Sequence, residues 1–346
     1  MKILDRANFQ FRSIRLAAAA VALLFAVPAL AQSEVDFFKG KTITFLVSTT
    51  SGGSYDTRAR IMARHLGKQL PGNPNVVVQN MPGAGSVVAM NHMYNVAPKD
   101  GTSILITQRV IFTTPMLTPE GVQFDLEKYN WLGNMGTDNG LLVSWHESPI
   151  KTTADIFTKE MIVAGSAQTT IISILNALIG TKFKLITGYP GAAEMQLAME
   201  RGEVMGPGEW SWSDLKTTRQ DWIQSKKINL LLQNGLTKTP DLPNVPLSLD
   251  YVKNADDRKI LEVFVSQRQL AYPILKPPGM PAPRVATMRK AFLDLGNDPD
   301  FKADFTKLNL EYDLMPGDKV QELVSSIVTT PPALVERMKV LVDAKR

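Results

Sequence analysis

Apolar positions along the chain fall into two alternating rhythms. The runs ITFLV at 43–47, VVV at 76–78 and SILIT at 103–107 are short, aliphatic and rich in β-branched residues, and they predict buried strands. Between them the apolar residues recur at helical spacing. Ala59, Met62, Ala63, Leu66 and Leu70 form one such stripe, and a second helical segment covers 86–97. Strand and helix thus alternate as βαβαβ, which predicts an α/β domain with a largely parallel sheet. A second cycle begins with LLVSW at Leu141. It continues with a strand at 161–164, a helix at 169–179, a strand at 183–186, a helix at 192–201 and a strand at 228–233. The stretch 236–246, dense in Pro, Thr and Asn, reads as a loop. One more strand at 270–275 and several helices follow, one carrying Val285, Met288, Phe292 and Leu295 as its apolar stripe.

Two such cycles predict an α/β fold of two lobes, each a mainly parallel sheet with helices on both faces. Parallel sheets bind ligands beyond the carboxyl ends of their strands, so two facing lobes make a ligand cleft. The expected division is a first lobe from 32–138 and 237–346, and a second lobe from 139–236. The crossings at 133–140 and 236–246 are the expected hinge.

The first residues follow a different pattern. Lys2, Arg6, Arg12 and Arg15 precede an apolar stretch at 16–30 that ends in Ala29-Leu30-Ala31. This is the layout of a secretory signal peptide, 1–31, and it predicts export to the periplasm with cleavage between Ala31 and Gln32. The apolar run is too short to span a bilayer comfortably. With the leader go four basic residues and Asp5, so the net charge of +5 falls to about +2. That balance does not suit a general nucleic-acid binder. The chain has no cysteine, which excludes disulfides, thiol catalysis and Cys-based metal sites.

Three turns share the layout strand, small residues, helix. They are Ser51, Gly52, Gly53, Ser54 and Asp56 in the first; Gly83, Ala84 and Gly85 in the second; and Ser166, Ala167, Thr169 and Thr170 in the third. Glycine lets a backbone approach a ligand, and free N–H groups at a helix N-terminus attract an anion. Any one such turn can be explained by capping, with Ser54 or Asp56 as the cap. Three of them, spread over both lobes, point to a bound carboxylate or phosphate. A dinucleotide site fits poorly, because Val88 occupies the third glycine position after Gly83-Ala84-Gly85. No Walker A, G-x-S-x-G or H-E-x-x-H sequence occurs, and His65, His92 and His146 are the only histidines. No enzyme activity, cofactor or metal is therefore expected.

Several stretches resemble one family in order along the mature chain. SGGSYD at 51–56 with Ala59-Arg60 is similar to its P-G-G-x-x-D-x-x-A-R, with Ser51 in place of proline. VVVQNMPGAGS at 76–86 resembles V-V-x-N-x-P-G-A-G-x, and APKDGT at 97–102 resembles A-P-x-D-G-T. GYPGAAE at 188–194, PNVP at 243–246 and PPGMP at 277–281 resemble later motifs. The family is the receptor of tripartite tricarboxylate transporters, also called Bug-type solute-binding proteins. The resemblance implies a two-lobed, type II-like periplasmic binding protein fold. It implies a monomer that closes on a small organic acid and delivers it to a permease of one large and one small membrane subunit. It places the carboxylate at Gly52, Gly53, Ser54, Asp56, Gly83, Ala84 and Gly85, with the other end of the ligand at 166–170. Tyr189, Glu209 and Trp210 are expected to face the cleft. An ABC-type binding protein, a periplasmic enzyme of unknown reaction and a ligand-sensing receptor are the alternatives.

Overall fold

The computed structural model describes residues 37–165, 170–189, 192–308 and 310–343. The first lobe opens with β1 (Thr42–Val47), α1 (Ser54–Gln69), β2 (Asn75–Asn80), α2 (Val87–Asn95) and β3 (Ser103–Ile106). A short helix α3 (Thr114–Leu117) then leads to β4 (Asn130–Asn134). The second lobe holds β5 (Gly140–Trp145), α4 (Asp155–Thr158), β6 (Met161–Gly165), α5 (Ile171–Ile179), β7 (Phe183–Thr187), α6 (Ala192–Glu200), β8 (Gly206–Pro207), β9 (Trp210–Ser211), α7 (Trp212–Thr218), α8 (Gln220–Gln224) and β10 (Ile228–Asn234). The remainder comprises α9 (Ala255–Ser266), β11 (Pro273–Lys276), α10 (Ala282–Asp294), α11 (Pro299–Lys307), β12 (Met315–Pro316), α12 (Gly317–Val328) and α13 (Pro332–Asp343).

The first lobe is one six-stranded sheet in the order β12-β4-β11-β3-β1-β2. Its β1–β2 and β1–β3 pairs are parallel, whereas β11 runs antiparallel to β3 and β4. Strand β1 is buried on both faces. Ile43, Phe45 and Val47 pack against Ala59, Met62 and Leu66 of α1 and against Phe292, Phe301 and Phe305. Leu46 joins the core on the opposite face. The stripe expected at Val285, Met288, Phe292 and Leu295 is buried throughout.

The second lobe departs from the expected single parallel sheet. It has a parallel sheet, β7-β6-β8, and a separate antiparallel one, β10-β5-β9. Strand β5 reads as a continuous apolar run because it is buried along its whole length, which hides the direction of its pairing. Trp145, Trp210, Trp212 and Trp222 pack together in the core beside this sheet.

After β10 the chain stays with the second lobe. The 235–247 loop folds back on Gln233, whose amide donates to the carbonyls of Leu242 and Val245 at 2.9 Å each. Helix α9 contacts α5 of the second lobe. The return to the first sheet is made at 267–272, beside the outgoing crossing. Met135 N–H donates to Tyr272 O, Asp138 N–H to Arg268 O and Ala271 N–H to Gly136 O.

Candidate ligand-binding site

The turn after β1 is braced from inside. Gly52 is left-handed at φ 87°, while Gly53 is extended at φ −83° and ψ 175° and forms the N-cap of α1. No side chain caps this helix. Neither Ser54 nor Asp56 caps the helix, because each has other partners. Ser54 Oγ donates to Tyr272 Oη at 2.8 Å and accepts from Arg58 Nη1 at 2.6 Å. Asp56, 2% exposed, accepts from the Gly52 N–H, the Asn80 amide and, bidentately, Arg60, all at 2.9 Å, and from Ser51 Oγ at 3.3 Å. The hydrogen bonds from Arg60 hold this carboxyl far below the usual carboxylate range; those of Gly52 and Asn80 add to the effect against the opposing influence of burial. Asn80 also donates to Thr49 O at 2.9 Å, tying the turn to the end of β2. All of these partners lie within the protein, so Asp56 braces the turn. A Cβ on either Gly52 or Gly53 would meet nothing within 4 Å. The first N–H groups of a 16-residue helix are left uncapped by any side chain, the arrangement that binds anions.

The second turn is left-handed over four consecutive residues: Gly83 (φ 148°), Ala84 (44°), Gly85 (60°) and Ser86 (86°). Left-handed Ala and Ser are costly for L-residues, and such strain gathers at ligand sites. Gly83 has a packing reason as well, since a Cβ there would lie 2.7 Å from Val88 Cγ2. Ser86 is buried. Its hydroxyl donates to Ser48 Oγ at 2.8 Å and accepts the Gln108 N–H at 3.3 Å, so the ends of β1 and β3 converge on this turn. Ser166, Ala167 and Thr169 of the third turn lie outside the described residues. Thr170 is the N-cap of α5, again without a side-chain cap.

A charged floor lies where the crossings meet. Arg268, 8% exposed, ion-pairs through Nη2 with Glu209 of the second lobe. Its Nη1 lies 3.9 Å from Asp138 Oδ2 and has no hydrogen bond. Burial, with Arg109 nearby, pushes this guanidinium down to about 9, against the pull of Asp138; it stays protonated at neutral pH. Glu209 Oε1 accepts from Asn234 Nδ2 at 2.8 Å. Asp214, at the start of α7, is raised by desolvation and by Asp138, and lowered by Arg58 and Arg109 of the first lobe. The guanidinium of Arg58, itself buried, stacks 3.7 Å above the Tyr272 ring. Trp210 packs into the tryptophan core, and Tyr189 packs against the same cluster. Beside Glu209, an apolar cavity of about 100 Å³ is lined by Met195, Gln196, Met199, Pro207 and Trp210.

The sequence motifs single out the first two turns and Glu209 as candidates, and they single out none of Arg268, Asp138, Asn80 or Tyr272. Asn80 lies inside the VVVQNMPGAGS stretch, as the last residue of β2. The others lie in connections with no periodicity, and only the crossing geometry brings them together.

No group of three or more His, Asp or Glu suited to a metal ion occurs among the described residues. No described helix is long and apolar enough to cross a membrane. Two α/β lobes joined by paired crossings, with glycine turns at the strand ends, define a two-lobed periplasmic binding protein. Residues 58–338 match the model of the tripartite tricarboxylate transporter family receptor, TctC, and the chain belongs to that family. A Cupriavidus necator protein, described as a UPF0065 protein in the gbd 5' region, is 26% identical over 97% of this chain and 98% of its own. The fold is also that of a TctC solute-binding protein from Polaromonas, with a TM-score of 0.66 and 17% identity, covering 88% of this chain and 98% of that one. A third relative, an R. palustris protein solved with adipate, has a TM-score of 0.58 and 18% identity over 88% of this chain and 97% of its own.

Proposed function

We propose that the protein is a periplasmic receptor that closes its two lobes on a small organic carboxylate and hands it to a membrane permease of one large and one small subunit. The observation that carries this reading is the uncapped N-terminus of α1, held open by Asp56 from within, beside the left-handed turn at 83–86. A carboxylate placed there accepts N–H groups of Gly53, Ser54 and Tyr55 while the helix dipole favours its charge. Binding by backbone needs no neighbouring cation, and Arg60, bonded to Asp56, is already committed. Adipate in the R. palustris relative supports an organic acid as the ligand. Closure turns about the paired crossings at 135–139 and 267–272, and the carboxylate is the only group the turns need to recognise. Leader removal after Ala31 releases the receptor into the periplasm.

The test is thermal melting of the mature protein with acetate, succinate, adipate, citrate and benzoate. An acid at 100 times its Kd adds about 2.7 kcal/mol. Stabilisation by one or more acids, with the amides of the same compounds inert, is expected. A panel without any shift would overturn the reading.

A further inference from the structure

We propose that Glu209 is a built-in surrogate for a ligand carboxylate: it holds Arg268 while the cleft is empty and gives it up when an organic acid enters. This rests on the reading that the cleft binds such an acid. Arg268 sits in the return crossing, and its charged and aromatic neighbours Arg109, Tyr55 and Tyr272 belong to the first-lobe side. Glu209 follows β8 in the second lobe, so the ion pair ties the crossing to the second lobe at the floor of the cleft. The pairing leaves a donor over. Arg268 Nη1 is buried and makes no hydrogen bond, and Asp138 at 3.9 Å is too far to provide one. A guanidinium fork is matched by a carboxylate that takes both nitrogens. Glu209 does not do this, because its other oxygen is held by Asn234 at 2.8 Å. A ligand carboxylate free of that tether would fill both positions.

The protein is also built to admit Glu209 at this place. A Cβ on Gly140 would lie 2.1 Å from Glu209 Oε1, so only glycine lets the side chain lie across β5 towards Arg268. The cavity bounded by Met195, Met199 and Trp210 opens beside the same carboxylate and offers room for the apolar part of a ligand.

A surrogate weakens binding by the fraction of receptors in which it is displaced. If Glu209 holds Arg268 in nine-tenths of molecules, removing it tightens the acid about tenfold. Calorimetry with succinate, adipate and citrate as probes tests this in wild type, Glu209→Gln, Gly140→Ala and Arg268→Gln. Glu209→Gln keeps the shape and the Asn234 bond but loses the charge. Gly140→Ala displaces the side chain without altering any charge, and it carries the test if the glutamine variant fails to fold. Expected are roughly tenfold tighter binding in both, and loss of at least tenfold in Arg268→Gln. Unchanged or weaker binding in Glu209→Gln and Gly140→Ala overturns the surrogate role. Unchanged binding in Arg268→Gln overturns Arg268 as the receiving group and leaves acid binding by the turns standing. If wild type binds none of the probes, the receptor reading fails and this proposal with it.

Discussion

Asp56→Ala removes the inner brace of the first turn without touching the cleft surface. The loss can be worked from the bonds. The Gly52 N–H and the Asn80 amide each lose a partner at 2.9 Å, a net of about 1 kcal/mol apiece. The Arg60 side chain is 44% exposed, so its pair contributes only about 0.5 kcal/mol after solvent screening. The sum is about 2.5 kcal/mol. Unfolding entropy for roughly 300 ordered residues converts this to a melting shift of about 4 °C. Affinity falls further than stability predicts, because the N–H groups at 53–55 lose their fixed directions; a weakening of at least tenfold, about 1.4 kcal/mol, is expected. Calorimetry and melting on wild type and variant, using the best acid of the panel, provide both numbers. A melting shift of the expected size with affinity within about twofold of wild type would show that the brace supports only the fold. An unchanged melting temperature would refute the bond accounting itself.

The same carboxyl carries a pH signature. Its pKa is depressed in the folded state below the ordinary aspartate value of 3.8, so its stabilisation is present above that value and is lost as pH falls below it. The melting difference between wild type and Asp56→Asn should therefore shrink below pH 4, and a constant difference would contradict it. Gly52→Val places a β-branched residue at φ 87° and should lower stability by 1–2 kcal/mol or more. Gly53→Val, at φ −83°, should fold normally yet weaken the acid, which paired melting and calorimetry will distinguish. Lys276 is fully buried, donates to Gly101 O, and is pushed down to about 7 by burial, against the charge of Asp100. The unfolded chain binds the proton more tightly, so stability rises with pH between about 7 and 10; Lys276→Met should flatten that slope in denaturant titrations. Small-angle scattering with saturating acid should show compaction, and equal radii would exclude lobe closure.

Much of the fold was legible because its signals are local. ITFLV and the stripe through Ala59, Met62 and Leu66 carry their own periodicity, and SGGSYD and NMPGAGS sit where strand gives way to helix. Two features were not legible. The pairing of β5 was hidden, since a strand buried throughout looks alike in parallel and antiparallel sheets. The return crossing was expected in the Pro-rich loop at 236–246, but that loop is tied down by Gln233, whose role depends on a side chain buried far from any motif. Gly52 rather than Gly53 holds the left-handed conformation, a distinction two adjacent glycines cannot show in sequence. Arg268 and Glu209 meet only through the crossing geometry, 59 positions apart along the chain.

Carboxylate capture at the first turn is tested by a crystal structure of the receptor with the acid that shifts its melting most. A carboxylate oxygen should lie within about 3 Å of the backbone N–H groups at 53–55, with the lobes closed over it. A ligand bound elsewhere, or held at this turn through side-chain cations alone, would contradict it.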